Sequence, residues 1–251
     1  MKRNKKTQPY STLQELAPDL WVMDGEWNGS AFGRRMTIIR LSDGSLAVHN
    51  AFCLEEKEII QIRKMGEVKW IVVPNRFHSS EAYFFQEKFP AAKVIASRWA
   101  KKNLLKTGIK EIHWLPESWA NEGNGILARE LPVFSLRGMR GLGEFVFLHK
   151  ASRTLLVTDL VFHMTTAKTA MERSFLRMNG IFKEFGPSRI AKLLFTRNER
   201  ELGESVAEIV KQDFDRVIMN HGEILKTGGP KALRESFVKR FPKIREVFKE
   251  N

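Results

Sequence analysis

The chain has 251 residues, is 43% apolar and 28% charged, and carries a formal net charge of +13 and a single cysteine, Cys53. That length allows one large domain or two small ones with a substantial core. No apolar run approaches the ~20 residues of a bilayer span. The basic N-terminus "MKRNKKTQPYSTLQ" lacks the apolar stretch of a secretory signal. One cysteine excludes an intramolecular disulfide, so the expected compartment is reducing, the cytoplasm.

The positive charge is concentrated. Residues 1–10 hold four Lys/Arg and no acid; residues 161–200 and 226–251 each hold eight Lys/Arg against three Glu. The rest of the chain is about neutral. Such segments are usually solvated faces, with weak, salt-sensitive attraction to nucleic acid or anionic lipid. No zinc finger, helix-turn-helix or RNP-type pattern is present, so nucleic acid is not expected as the main partner.

In chain order, residues 1–15 read as a basic disordered tail and 16–251 as a single domain. "LWVMDGEW" (20–27) reads as a strand and "RMTIIRLSDGSLAVHN" (35–50) as a hairpin turning at Asp43-Gly44. "CLEEKEIIQIRKMG" (53–66) reads as a helix stopped by Gly66, and "VKWIVVP" (68–74) as a buried strand. "SSEAYFFQEKF" (79–89) reads as a helix capped by a serine, "KVIAS" (93–97) as a strand and "RWAKKNLLKT" (98–107) as a short helix. "EIHWL", "GILARELPVFSL" and "EFVFLHKASRTLLVTDLVF" read as strands, the last a hairpin around Lys150-Ala151-Ser152. Residues 163–195 form a basic, Met- and Phe-rich helical insertion interrupted at Pro187. An amphipathic helix (198–214), a strand (216–222) and a basic helix (about 229–250) follow.

Two successive sets of antiparallel strands and β-α-β units predict an α/β fold. The preferred form is a four-layer αββα sandwich of two mixed sheets with helices outside; a three-layer α/β domain is the alternative. Polar residues stand at three strand ends: Asn75 to His78, Thr158-Asp159, and Asn220-His221-Gly222. Ligands collect at the carboxyl ends of strands in such sheets. His78, Asp159 and His221 offer two imidazoles and a carboxylate, a set that suits one divalent metal with open positions.

The order and spacing over roughly residues 18–225 resemble the metallo-β-lactamase superfamily. That family carries a His-x-His-x-Asp-His hallmark after a strand, a third His, a bridging Asp and a last His before Gly. In "IVVPNRFHSSEAYFF" (71–85) the hallmark falls on residues 73–78 and keeps only its final His, as His78. Val73, Asn75 and Phe77 replace the other ligands. The third His position reads Met139; Asp159 matches the bridging Asp and His221 the last His. The Asp that usually ends the early hairpin reads within His49-Asn50-Ala51. The resemblance implies that one metal site has lost its ligands, while His78, Asp159 and His221 could hold a single Zn²⁺ or Fe²⁺ at the other. It implies a degenerate branch without an assigned activity.

Three functions stay open on sequence alone. One is a non-catalytic descendant that binds a small-molecule ligand, holds no metal, and has Phe77 and Met139 filling the space. The second is a mononuclear metal-dependent hydrolase of an ester-, amide- or phosphate-like substrate, with Asp159 at the reacting centre and Asn75 orienting substrate or donating to an oxyanion. The third is a peripheral membrane or partner-binding module acting through 163–195. His113 and His163 lack partners at metal spacing. Cys53 lacks a nucleophile pattern, and Gly138, Gly141 and Gly143 form no phosphate loop because no helix follows them.

Overall fold

The computed structural model describes residues 7–27 and 30–249. Main-chain contacts divide the chain into two units, one ending at Glu130 and one beginning at Leu131. Each unit has its own sheet and apolar core. No helix among the described residues is long and apolar enough to cross a membrane.

The first unit is built on a mixed eight-stranded sheet. Its strands are β1 (Thr7–Tyr10), β2 (Gln14–Ala17), β3 (Leu20–Trp27), β4 (Ser30–Arg40), β5 (Leu46–His49), β6 (Val68–Val73), β7 (Lys93–Ala96) and β8 (His113–Trp114). β3, β4 and β5 pair antiparallel; β5 to β8 run parallel. The change of direction follows from the connections. A tight turn at Asp43-Gly44 joins β4 to β5, whereas α1 (Glu56–Met65), α2 (Ala82–Lys88) and α3 (Lys101–Thr107) lie in the later crossovers. In the turn, Asp43 Oδ1 accepts from Ser45 N at 2.9 Å. Trp70, Ile71, Val72 and Val73 are all buried, as expected for a parallel strand covered on both faces. Ile59 and Ile62 bury one side of α1, which stops at Gly66. A Cβ at Gly66 would meet Gly44 O at 2.3 Å, so this stop must be glycine.

Three expectations change here. Residues 1–6 of the expected tail lie outside the described residues, but 7–10 and 14–17 are strands paired with β3. β2 is partly exposed and β1 half so, and such edge strands form by pairing rather than by strong local pattern. The helix expected from Ser79 starts at Ala82; Ser79 Oγ instead donates to Arg76 O at 3.1 Å. "GILARELPVFSL" is not one strand but α4 (Ile126–Glu130) followed by β9 (Val133–Ser135). Leu, Ala, Arg and Glu are helix formers, and Pro132 separates the two elements.

The second unit has a four-stranded mixed sheet in the order β14-β11-β10-β9, with β10 (Phe145–His149), β11 (Thr154–Leu156) and β14 (Arg216–Ile218). The expected helical insertion at 163–195 is two helices, α5 (Ala170–Met178) and α6 (Arg189–Phe195), around a ribbon of β12 (Phe162–His163) and β13 (Phe185–Gly186). Pro187 precedes Ser188, whose Oγ accepts from Ala191 N and caps α6. Next come α7 (Glu199–Val210), capped by Asn198, and α8 (Gly229–Arg240). The helix expected to reach 250 ends at Arg240; a short 3₁₀ turn, Pro242–Arg245, follows. Pro242 supplies no N–H to continue it.

One buried polar network ties the first unit together. The Arg34 guanidinium lies 3.2 Å from Glu81 Oε2, and both side chains are almost fully buried. Arg34 also donates to Asn50 Oδ1 at 3.1 and 2.9 Å and to Ala51 O at 3.2 Å. Thr7 Oγ1 donates to Glu81 Oε2 at 2.5 Å. β1, β4, the end of β5 and the approach to α2 therefore share one carboxylate and one guanidinium. Replacing Glu81 by Ala leaves Arg34 buried beside no carboxylate. The expected loss is about 3–5 kcal/mol in urea unfolding; a loss below about 1 kcal/mol contradicts this role.

Candidate metal centre

In the second unit, parallel pairing of β11 with β14 brings two strand ends together. Thr154, Leu155 and Leu156 face Arg216, Val217 and Ile218 in register, and Val157 N donates to Ile218 O at 2.8 Å. Both chains leave the sheet at the same end, so Thr158-Asp159 and Asn220-His221 become neighbours. Asp159 Oδ1 lies 3.2 Å from His221 Nε2, with both side chains mostly buried. The His221 ring stacks on Phe162 at 5.6 Å and 7°. Asn220 Nδ2 lies 2.9 Å from His221 Nε2. Gly222 follows with φ 86°, and a Cβ there would meet His163 O at 2.1 Å. The "NHG" of the sequence thus needs its glycine for the close approach of two backbones.

A residue that sequence reasoning missed organises this end. Glu144 is 3% exposed, just before β10. Its Oε1 accepts from Thr158 N at 2.8 Å and Leu160 N at 3.1 Å, and its Oε2 from Asp159 N at 2.8 Å. Three backbone donors of the Asp159 turn are satisfied by one carboxylate. Burial and, next, the neighbouring Asp159 carboxylate push Glu144 above the usual carboxylate range, while the three N–H groups act the other way. The available signal was a lone acid opening the apolar run "EFVFL".

In the first unit, Asn75 and His78 share a turn after β6. Asn75 is fully buried, and its Oδ1 accepts from Phe77 N at 2.9 Å and His78 N at 3.2 Å. This is the Asx turn that asparagine forms readily. The side-chain oxygen of Asn75 is thus held in the turn that carries His78. The His78 backbone oxygen accepts from Arg34 at 3.4 Å, and the residue is 6% exposed. Burial, and secondly the nearby His78, hold the His49 imidazole down to about 3. His49 is therefore neutral at ordinary pH.

The residues at the other hallmark positions have distinct surroundings within their own units. Val73 belongs to the first unit's core. Met139 packs against the second unit's core and bridges to Thr196. Phe77 is 49% exposed, with the Arg76 guanidinium 5.1 Å from its ring centroid. A half-exposed ring flanked by a cation is favoured at a surface, which corrects the expectation of Phe77 as a space filler. Among the other residues singled out, Cys53 is buried and precedes α1 by three positions. His113 lies between Glu111 and Glu122, and His163 meets Phe185 edge-on.

The Asp159–His221 pair has a spacing and chemistry close to those of two ligands on one ion. Two ligand atoms each about 2.0–2.2 Å from a tetrahedral ion stand about 3.3–3.6 Å apart. The observed 3.2 Å lies just below that range, and imidazole with carboxylate is a donor set suited to zinc or iron.

Structural comparison defines the class. The fold is that of the metallo-β-lactamases. The chain resembles FIM-1 from Pseudomonas aeruginosa in its mono-zinc form, with TM-score 0.58 and 9% identity over 97% of this chain and 98% of that one. The enzyme from Hirschia baltica gives 0.56 and 12% over 94% and 98%, and DIM-1 gives 0.60 and 11% over 93% and 99%. A comparison with curated protein sequences returned no match. Within that fold class, the chain belongs to the family described as "Domain of unknown function (DUF4336)", whose model matches residues 30–174. The matched span includes His78, Glu144 and Asp159 and stops before His221.

Glu144→Ala strips three buried backbone donors of their acceptor. Each orphaned donor costs about 1–3 kcal/mol before water enters. The expected outcome is a clear fall in melting temperature with unchanged secondary structure, read by circular dichroism. A variant as stable as the parent contradicts the role given to Glu144.

Proposed function

We propose that the protein holds one divalent ion, zinc or iron, on His78, Asp159 and His221, and hydrolyses an ester-, amide- or phosphate-like substrate there. The observation that carries this reading is the Asp159–His221 pair, 3.2 Å apart at two parallel strand ends. His78 joins it by the hallmark position that it occupies in the sequence. The matching structure in a mono-zinc form lends the single-ion version support by likeness of fold. When bound, such an ion supplies a water of lowered pKa and polarises a substrate oxygen.

The chain's own groups have defined tasks. Glu144 fixes the turn that presents the Asp159 carboxylate. Phe162 sets the plane of the His221 ring, and Asn75 holds the backbone of His78. In this reading a first metal position is lost, because Val73 and Met139 carry no suitable donor and the Asn75 amide is a weak one engaged in its turn.

A second reading rests on Phe77. The hallmark carboxylate that would orient water in relatives is replaced by a ring turned half into solvent. The same ion would then serve a ligand-binding protein without turnover.

One experiment separates these outcomes. Protein purified without chelator is analysed for metal, then assayed with p-nitrophenyl esters, phosphate esters and a chromogenic amide. About one zinc or iron per chain is expected, lost in Asp159→Ala and His221→Ala, with affinity weakened more than about tenfold in His78→Ala. Metal without turnover selects the ligand-binding reading. Stoichiometry near zero after excess Zn²⁺, Fe²⁺ and Mn²⁺ overturns the metal reading itself.

A further inference from the structure

Ten large apolar side chains are exposed among the described residues, and six of them fall between residues 171 and 194. Scattered exposure needs no explanation, but a contiguous group does. On α5, Met171, Phe175 and Met178 recur at helical spacing, opposite the buried Leu176. On α6, Ile190, Leu193 and Leu194 also recur at helical spacing and are exposed, while Ala191 is buried. The two helices are tied end to start. Arg189 N donates to Asn179 O at 3.0 Å, and the Arg189 side chain donates to Met178 O at 2.7 Å.

The surface is preformed rather than a loose flap. Arg240 of α8 donates to Pro187 O at 2.9 Å and to Gly180 O at 3.0 Å, and Lys192 Nζ donates to Arg240 O at 3.0 Å. Beside α5 lies a cleft of about 340 Å³ lined by Arg173, Arg177, Lys183, Thr165 and Thr166. The nearby carboxylates are engaged. Glu172 accepts from Lys168 N at 2.8 Å while its own N–H donates to the Thr169 cap. Glu184 pairs with Lys239 at 2.7 Å, and Glu199 with Lys192 at 3.1 Å. Glu223 stands at the cleft edge, accepting from Thr165 Oγ1 at 3.4 Å.

We propose that α5 and α6 dock on an anionic phospholipid bilayer. Met171, Met178, Leu193 and their neighbours enter the acyl boundary, and Arg173, Arg177 and Lys183 receive headgroup phosphate. An apolar helix face flanked by cations is the arrangement that such a surface recognises. A second copy is disfavoured, since each chain carries +13 and would oppose like charge to like. A soluble phosphate compound would use the cleft but leave six apolar side chains in water. The proposal stands independently of the metal reading.

Flotation of the full chain with vesicles tests it. Neutral phosphatidylcholine vesicles are compared with vesicles containing about 30% phosphatidylserine, at about 0.05 M and about 0.5 M salt. Binding is expected to the anionic vesicles, weakened by salt. Met171→Asp with Leu193→Asp should cut the bound fraction at least about tenfold without changing the melting temperature, because both side chains are exposed. Arg173→Glu with Arg177→Glu reads the same docking without touching an apolar residue. The proposal is overturned by no binding at low salt, equal binding to neutral vesicles, retention by both double variants, or self-association without vesicle binding. Stabilisation by inorganic phosphate with no flotation also overturns it and marks a soluble ligand.

Discussion

The Glu144 carboxylate is the interaction on which the candidate centre depends. A turn leaving a buried strand exposes consecutive N–H groups to an apolar interior, and each must find an acceptor. Glu144 meets three of them at once. That fixes the backbone of Asp159, and with it the carboxylate that stands against His221. The cost is a buried acid beside a second acid, so the arrangement favours anything positive that Asp159 can hold. A cation would meet that demand, and His221 stands beside Asp159 to share in holding it.

The first unit solves the matching problem with neutral and charged groups together. Asn75 shapes the turn that carries His78, and Arg34 holds the carbonyl of His78 while pairing with Glu81. Both turns are thus set by a buried polar side chain acting on backbone, not by loop flexibility. Such satisfied networks are rigid, which is what a ligand set needs to stay oriented.

Much of this was legible in the sequence where the signal was local. The buried run of β6, the hairpin at Asp43-Gly44 and the amphipathic α7 follow from periodicity and turn chemistry. The class followed from the order of His78, Asp159 and His221, and the structure brings Asp159 and His221 together at neighbouring strand ends. The rest depended on contacts that sequence does not carry. β1 and β2 are strands because β3 offers them an edge. Asn75 has a structural task that the sequence did not show, because its oxygen closes its own turn. Phe77 looked like a plug, but it faces solvent beside Arg76. Glu144 gave only a faint sign, because an acid before an apolar run is usually a surface residue. The charge of +13 pointed to no specific partner until the exposed faces of α5 and α6 gave part of it a setting.

The most direct test of the central claim is X-ray absorption at the zinc edge of the zinc-loaded protein. The account predicts two imidazole nitrogens and oxygen donors at about 2.0–2.2 Å with no sulfur, and loss of one imidazole in His78→Ala. A spectrum of oxygen donors alone, unchanged in that variant, would contradict it.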